Sequence, residues 1–578
     1  MISYEHIAKP IGVMMAAAVA FCLWIAAFSQ QVVETLGGVS VPMAYEEELF
    51  DTDQVMRIDI QMEQEEWEEM LENATAKEYY ACDVLINGQK LGNVGLRTKG
   101  NTSLSAIAMN PDTDRFSFKL EFDHYVEGQT CFGLDKLILN NNYADATSMK
   151  EAVVYDMYRY LGVDASLYNY AELSLNGEYL GVYLALEAVE ESFLLRNYGA
   201  GDGELYKPDS MKMGGGKDGR FGGELPKTGE KEEGTGKERP REQEGEKGRA
   251  WTQGAELPDG DIPWGEEMPD FAEGMSSGDE DFDFADGMPS DGGFGLEEGD
   301  DRKKAASGKP AGGGPSMGGG NGANLNYTDE ALSSYSDIWD GEVTDTGKAD
   351  HGRVVTALKN IGAGTELEKY LDVENILKYM AVHTFCVNLD SLSGNMAHNY
   401  YLYESDGMLN ILPWDYNLAF GGMNTGPDND AASVVNDAVD SPFPGTTFFD
   451  ALLEDEAYLS RYHEYLCQLA KEYVLGGRFQ EVYERIRGQI DTLVEADPTA
   501  LYSYEEYEAG AQMLYQTVML RAESVQGQIE GTIPATDEEQ KADSSMLVDA
   551  SKIDVSVMGV MDMGGGRERK SARAANRQ

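Results

Sequence analysis

Alternating hydrophobic and polar residues predict two β-hairpins and a further strand in the first third of the chain. The hairpins turn on Asn87-Gly88 and on Asn176-Gly177, a dipeptide that accepts positive φ at both central positions of a type I′ turn. Between them, residues 116–122 alternate phenylalanine or leucine with polar residues, which is typical of a half-buried strand with Lys119 on its polar face. The hairpin strands are predicted at residues 79–86, 89–97, 170–175 and 178–186.

Apolar residues at helical spacing predict a mainly helical second half. Before it, Ser148 and Glu151 have the spacing of a capping box at the start of a helix over residues 149–161, and Gly162 is suited to its end. The capping role alone would explain Glu151. Further helices are predicted near residues 373–384 and over residues 449–474, 479–494 and 504–529.

Residues 211–325 interrupt these patterns. They hold 29 of the 65 glycines and few aliphatic residues, so they cannot bury enough apolar area to offset chain entropy. We therefore predict a large disordered insert that loops out of one domain, and a second disordered segment over residues 532–578. Within the insert, Ser276 and Ser277 precede an acidic run and are candidates for autophosphorylation, with a simple spacer and a calcium-collecting polyanion as alternatives.

The amino-terminal segment 11–28 carries no charge and follows Lys9. Its 18 residues are at the short end of what spans a bilayer. A basic residue before the segment and acidic residues after it favour a body outside the cell. The prediction is a single-pass transmembrane helix in the cell membrane with an extracellular body, and a cleaved signal peptide is the alternative.

The charge balance excludes one class of partner. The chain has 103 acidic and 45 basic residues, a formal charge of −58, and such a field repels nucleic acid. Five cysteines stand singly with no zinc-binding spacing, so that buried thiols and long-range disulfides both remain open. His383 and His398 also lack metal-binding spacing, and packing or solvent-exposed roles are predicted for them.

Two aspartates and two asparagines surround a further predicted hairpin. Asp390 is followed by Asn395, by Asn399, by two apolar runs that turn at residues 405–407, and then by Asp415. Protein kinases place a proton-accepting aspartate, a magnesium-binding asparagine and a magnesium-binding aspartate in this order. Pairing of the two runs would bring the two aspartates to one point. A solvated, structural role is the alternative for any isolated pair of acids.

Five short sequences stand in order along the chain, at residues 95–103, 117–120, 175–183, 388–403 and 413–415. Together they resemble the spore-coat protein H (CotH) kinase-like family. The resemblance implies an α+β, atypical protein-kinase-like bilobal fold with a β-rich N-lobe and a helical C-lobe. It also implies ATP and Mg²⁺ or Mn²⁺ as cofactors, and serines of secreted or coat proteins as acceptors. Fungal relatives are surface invasins, so a catalytically inactive adhesion or coat-assembly protein is the alternative.

The resemblance assigns Arg97 and Lys99, on a glycine-bearing loop, to the nucleotide, and a solvated hairpin edge is the alternative for both. A Walker phosphate loop is not expected there, because Asn101 stands where that motif has lysine and no helix is predicted after it. Lys119 on a strand and Glu151 early in a helix parallel the lysine and glutamate that pair near the phosphates in kinases.

In the catalytic segment the resemblance makes Asp390 the base and Asp415 the principal metal ligand. Asn395 or Asn399 would be the second ligand. In some members of the family an acid stands where this chain has Asn417.

The combined hypothesis is an exported, membrane-anchored kinase that phosphorylates Ser or Thr of secreted or coat proteins, with neither DNA nor RNA as a partner. The predicted organisation is an anchor or signal with linker (1–45), N-lobe (46–210), insert (211–325), C-lobe with the catalytic segment (326–531) and tail (532–578).

Overall fold

A computed structural model describes residues 41–199, 203–209, 320–394, 396–424 and 431–562. The predicted membrane segment 11–28, Asn395 and nearly all of the predicted insert lie outside these residues. Within the described ranges, no helix is both long and apolar enough to cross a membrane.

The described chain mixes strands and helices. The strands are β1 (Met56–Gln61), β2 (Tyr80–Ile86), β3 (Gln89–Lys99), β4 (Ser117–Glu121), β5 (Lys136–Asn140), β6 (Tyr168–Leu175), β7 (Glu178–Glu187), β8 (Glu204–Tyr206), β9 (Tyr400–Ser405), β10 (Met408–Pro413), β11 (Met423–Asn424) and β12 (Met561–Asp562). The helices are α1 (Ala44–Glu48), α2 (Gln64–Glu72), α3 (Thr102–Ala108), α4 (Lys150–Leu161), α5 (Glu191–Tyr198), α6 (Ser336–Trp339), α7 (Lys348–Gly362), α8 (Leu367–Tyr370), α9 (Val373–Cys386), α10 (Ala431–Asn436), α11 (Asp450–Glu454), α12 (Glu456–Cys467), α13 (Arg478–Ala496), α14 (Tyr504–Ile529) and α15 (Asp537–Ala542).

The first seven strands form a closed barrel in the order β1-β2-β3-β4-β5-β7-β6. The β1–β6 pair is parallel and closes a sheet whose other pairs are antiparallel. Both predicted Asn-Gly turns are confirmed, since Asn87, Gly88, Asn176 and Gly177 all have positive φ. Phe118 and Leu120 of β4 enter the barrel core, as the alternation predicts, but the strand is buried on both faces and not half-buried.

A second core lies among the helices. It contains α4, α9 and α14 together with the outer face of β6 and β7. The barrel and these helices belong to one compact unit. The mixed α and β content is therefore observed, whereas a division into two kinase-like lobes stays a prediction.

A three-stranded sheet, β8-β9-β10, lies outside the barrel. Its edge strand β8 comes from the segment assigned above to the N-lobe, yet it pairs with β9 from the catalytic segment, with Leu205 opposite Tyr403. Proximity in sequence does not fix a strand's partner, because free backbone groups pair with whichever edge tertiary packing presents.

The helix start near Ser148 differs from the prediction. Ser148 has φ of +52° and α4 begins at Lys150, so no capping box forms. Asp145 instead accepts a hydrogen bond from the Lys150 amide at 3.1 Å. Gly162 ends the helix as predicted, with φ of +69°. The prediction that no helix follows Asn101 was also wrong, because α3 begins at Thr102.

Residues 532–562 are not a disordered tail. They include α15, and β12 pairs in parallel with β11. Met558 is fully buried, and the Lys150 ammonium donates to the Gly559 carbonyl at 3.0 Å. Sparse apolar residues gave no periodic signal here, but α14 and the start of α4 supply a surface that buries them. The prediction for residues 563–578 lies outside the described residues.

Candidate active site

The β9–β10 hairpin brings the two predicted acids into one site. Its turn residues Asp406 and Gly407 have positive φ, and Tyr400 pairs with Pro413 at the open end. Just beyond that end, the Asn399 amide donates to the backbone carbonyl and to Oδ2 of Asp390, both at 2.9 Å. Asp415 follows the other strand with φ of +62°, and its charge contributes to raising the pKa of Asp390.

Asp390 is buried and pairs with a histidine. Its Oδ1 lies 2.9 Å from Nε2 of His398. Burial raises the pKa of Asp390, although His398 opposes this rise. Burial alone would lower the pKa of His398, but the hydrogen bond and charge of Asp390 outweigh it and the pKa is raised. The predicted packing or solvent role of His398 was therefore wrong. The feature of the sequence that could have indicated its pairing with Asp390 is its position directly before Asn399.

His383 does have the predicted packing role. It is buried between the Tyr416 hydroxyl and Ser393 Oγ, at 2.9 and 2.8 Å. Burial lowers its pKa to about 3, so the ring is neutral at physiological pH.

The asparagines near the acids differ in their contacts. Asn399 uses its amide nitrogen on Asp390, which leaves its Oδ1 as the atom able to ligate a cation. Asn417 donates to the Tyr143 carbonyl at 2.8 Å and so holds a loop. The structure does not describe Asn395, and the choice between it and Asn399 stays a prediction.

Glu151 connects to the site through Lys99. The Lys99 ammonium donates to Asn140 Oδ1 at 2.9 Å, and the Asn140 amide donates to Glu151 Oε2 at 2.8 Å. Burial raises the pKa of Glu151 to about 8, and the charge of Asp415 adds to the rise while Lys99 opposes it. Glu151 is therefore part of the site, where it is linked through Asn140 to Lys99 and not to Lys119.

The predicted pairing of Lys119 with Glu151 was wrong. Lys119 lies 2.5 Å from Glu190, which also binds Lys136 at 2.7 Å. Burial would raise the pKa of Glu190, but the two lysine charges outweigh it and the pKa is lowered. The sequence could not show this because Glu190, just before α5, lies 71 residues beyond Lys119 and belongs to no motif. Lys119 is also largely buried on the outer face of the barrel, not on an exposed polar face.

Arg97 lies beside Lys119 in the β3–β4 register. Its guanidinium is 5.2 Å from the Tyr79 ring centre and donates to the Thr98 carbonyl at 3.0 Å. Of the four residues assigned to the nucleotide, Lys99 and Glu151 lie with Asp415, whereas the described contacts of Arg97 and Lys119 are with other groups.

Lys207, directly after β8, is a further residue at the site that the sequence did not indicate. Its ammonium lies 4.9 Å from the Tyr401 ring centre and 5.0 Å from that of Trp414. No periodic or motif signal surrounds it, and only the β8–β9 pairing brings it to the site.

The oxygen donors fit magnesium or manganese held with a nucleotide. Asp415 and Asn399 offer the hard ligands that these ions prefer. The charge of Asp415 contributes to raising the pKa of both Asp390 and Glu151, so a cation bound at Asp415 would favour the ionised form of each. In the part of the chain that the structure describes, no three His, Cys, Asp or Glu residues form a complete metal site. Magnesium on a nucleotide takes its other ligands from phosphate and water.

The described cysteines are free thiols. Cys82, Cys131 and Cys386 are buried and Cys467 is partly buried. Burial raises the pKa of Cys82 and of Cys131 to about 12. Long-range disulfides, left open by the sequence, are therefore absent from the described residues.

The comparison with protein families agrees with this site. The family model described as CotH kinase protein matches residues 96–252 and 296–525, which include Lys99, Glu151, Asp390, Asn399 and Asp415. No curated protein shows a significant match to the chain. Because the family match covers more than half of the chain and includes both acids of the site, the chain belongs to the CotH kinase family.

Proposed function

We propose that the protein is an ATP-dependent protein kinase that phosphorylates Ser or Thr. The observation that carries this proposal is that hydrogen bonds hold Asp390 and Asp415 at the open end of one hairpin: Asn399 donates to Asp390 at 2.9 Å, and Asn388 donates to the Asp415 carbonyl at 3.4 Å. The hydrogen-bonded side chains of Lys99, Asn140 and Glu151 lie beside these acids, since the Lys99 ammonium is 5.2 Å from the ring centre of Trp414, the residue before Asp415. A positioned base, a cation-binding acid and a lysine are the groups that phosphoryl transfer requires.

In this proposal Asp390 accepts the proton of the acceptor hydroxyl. Its hydrogen bonds with His398 and Asn399 fix the carboxylate, so that it is oriented before the acceptor arrives. Asp415, with Asn399 or Asn395, would hold Mg²⁺ or Mn²⁺, and Lys99 would neutralise phosphate charge. Metal-bound ATP supplies the phosphoryl group and the cation that offsets its charge.

We further propose that the kinase is exported and held in the cell membrane by residues 11–28, with the catalytic domain outside. Its acceptors would be secreted or coat proteins, together with Ser276 and Ser277 of its own insert. The uncharged amino-terminal segment and the charge of −58 support this proposal, since they favour membrane insertion and exclude nucleic acid.

Phosphate transfer from labelled ATP tests the enzyme assignment. Asp390→Asn should reduce kcat by about 10² to 10⁴-fold, the usual contribution of a general base, and Asp415→Asn should abolish metal-dependent transfer. Asp406→Asn is the matched control, because Asp406 lies exposed in the turn of the same hairpin and Asn also accepts its positive φ. Equal activity of all three variants would contradict the proposal.

The alternative function, a catalytically inactive surface binding protein, predicts different results in the transfer assay and in a melting experiment. It requires that wild-type protein transfer no phosphate to itself or to Ser-rich acceptors. It also requires that ATP with Mg²⁺ or Mn²⁺ leave the melting temperature unchanged.

A further inference from the structure

Lys207 is held rigidly at the edge of the candidate site. Its backbone amide donates to the Gly341 carbonyl at 2.7 Å, and the preceding residues are paired in β8. Its half-buried side chain extends over Tyr401 and Trp414, which are 7% and 3% exposed. The position of the ammonium is therefore defined by two packed rings.

This ammonium forms no close ion pair with a described carboxylate. No ion pair or side-chain hydrogen bond joins Lys207 to another described side chain, whereas Lys119 and Lys136 both bind Glu190. Lys99 is similar to Lys207, since its ammonium donates to the neutral amide of Asn140 and lies 5.2 Å from the Trp414 ring centre. Two lysine ammoniums thus share one indole ring without a described carboxylate within 4.0 Å of either.

Such an arrangement favours an anionic ligand. Like charges repel more strongly where water is partly excluded, and aromatic faces offset only part of the desolvation of an ammonium. Burial lowers the pKa of Lys207 to about 7, and the charge of Lys99 adds to this lowering against the opposing charges of Asp415, Asp209 and Glu190. A negatively charged group between the two lysines would remove the repulsion.

We propose that Lys207 and Lys99 form a binding site for the phosphate oxygens of a phosphoanhydride chain, with Lys207 as a phosphate-binding residue. Asp415 favours a phosphate chain over a carboxylate as the ligand. A cation that Asp415 would hold, together with the two lysines, would be balanced by a chain that carries several negative charges. This inference rests on the contacts of Lys207 and Lys99. The identification of the phosphoanhydride chain as that of ATP rests on the proposed function.

Binding of magnesium tripolyphosphate, which has no base or sugar, tests the inference by isothermal titration calorimetry on the full chain. Lys207→Met should weaken binding by at least about tenfold, the loss of one charge-assisted contact, and Lys207→Arg should restore most of it. Lys369→Met is the matched control, because Lys369 also lies over a tyrosine ring, 4.8 Å from the centre of Tyr370, but is exposed. Melting curves without ligand check that each variant is folded.

Proton uptake gives a second readout that a merely structural role would not change. Binding near pH 7.5 should draw a proton onto Lys207, and titrations in buffers of different ionisation enthalpy measure that proton. Lys207→Arg should bind without this uptake. Chemical acetylation of wild-type protein, mapped by mass spectrometry, extends the test should Lys207→Met fail to fold, because tripolyphosphate should protect Lys207 and leave Lys369 unprotected.

The outcomes separate this inference from the proposed function. Tripolyphosphate binding that depends on Lys207, without any phosphate transfer from ATP, would support the site and refute the kinase. Transfer activity with unchanged tripolyphosphate affinity in Lys207→Met, or acetylation of Lys207 that tripolyphosphate does not slow, would overturn the site alone. Wild-type protein that binds neither tripolyphosphate nor ATP would overturn both.

Discussion

The ion pair between Arg115 and Asp497 joins the barrel to the helices, and its removal should be strongly destabilising. Arg115 precedes β4 and Asp497 follows α13, with side chains 4% and 1% exposed and a separation of 2.8 Å. Asp497 also accepts hydrogen bonds from the Val182 and Thr499 amides at 3.1 and 2.9 Å. The carboxylate is therefore fully desolvated and satisfied only by protein groups.

The isosteric substitution Asp497→Asn would leave the Arg115 charge buried without a counter-ion. Breaking a buried pair in this way costs about 3–5 kcal/mol of unfolding free energy. Arg57 and Glu172 provide the contrast, since their separation is 3.8 Å and their side chains are 84% and 38% exposed. Exposed pairs contribute about 0–1 kcal/mol, so Glu172→Gln should change little.

Urea unfolding of the full chain, followed by tryptophan fluorescence and circular dichroism, measures both variants. We expect Asp497→Asn to lower the unfolding free energy by at least about 2 kcal/mol more than Glu172→Gln does. Indistinguishable midpoints and slopes for the two variants would refute the argument that burial makes this pair important.

Further predictions concern the carboxy-terminal segment and the pH dependence. Met558→Ala should cost about 2–5 kcal/mol of unfolding free energy, whereas exposed Met546→Ala should stay within about 0.5 kcal/mol; equal melting temperatures would contradict the packing of this segment. Folding raises the pKa of Glu151 from 4.5 to about 8, so the folded state binds this proton more tightly than the unfolded state does. The resulting contribution to stability is fully present below pH 4.5 and is lost as the pH rises to about 8. Glu151→Gln should flatten that decline in melts at pH 5 to 8, and an unchanged slope would contradict the assignment. Because His398 lowers the pKa of Asp390, His398→Gln should move the acid limb of kcat/KM to higher pH, and a shift to lower pH would exclude their pairing.

Local sequence was sufficient to predict the hairpins and the position of Asp415 just beyond the end of one of them. An Asn-Gly turn fixes which residues pair, and the turn at Asp406 and Gly407 fixes that Asn399 and Trp414 lie at the same end. Asp390 lies outside this register, and the hydrogen bonds from the Asn399 amide, at 2.9 Å, are what place it at the same end.

Contacts between distant segments could not be predicted in this way. Lys119 was assigned to Glu151 by order along the chain, but the fold gives Lys119 to Glu190 and Glu151 to Lys99 through Asn140. These pairs depend on how the barrel, α4 and α5 pack together. Ionic side chains have no sequence period that would identify their partners.

The sequence by itself determined the strands of the hairpins, the main helices and the residues able to supply a base and a cation ligand, because turn chemistry and hydrophobic periodicity act over a few residues. Only the tertiary structure decided that His398 pairs with Asp390, that Lys207 lies over Tyr401 and Trp414, and that residues 532–562 pack against the helices. Those outcomes depend on burial, which removes water as a competing partner and makes each charged group take whichever neighbour the fold provides.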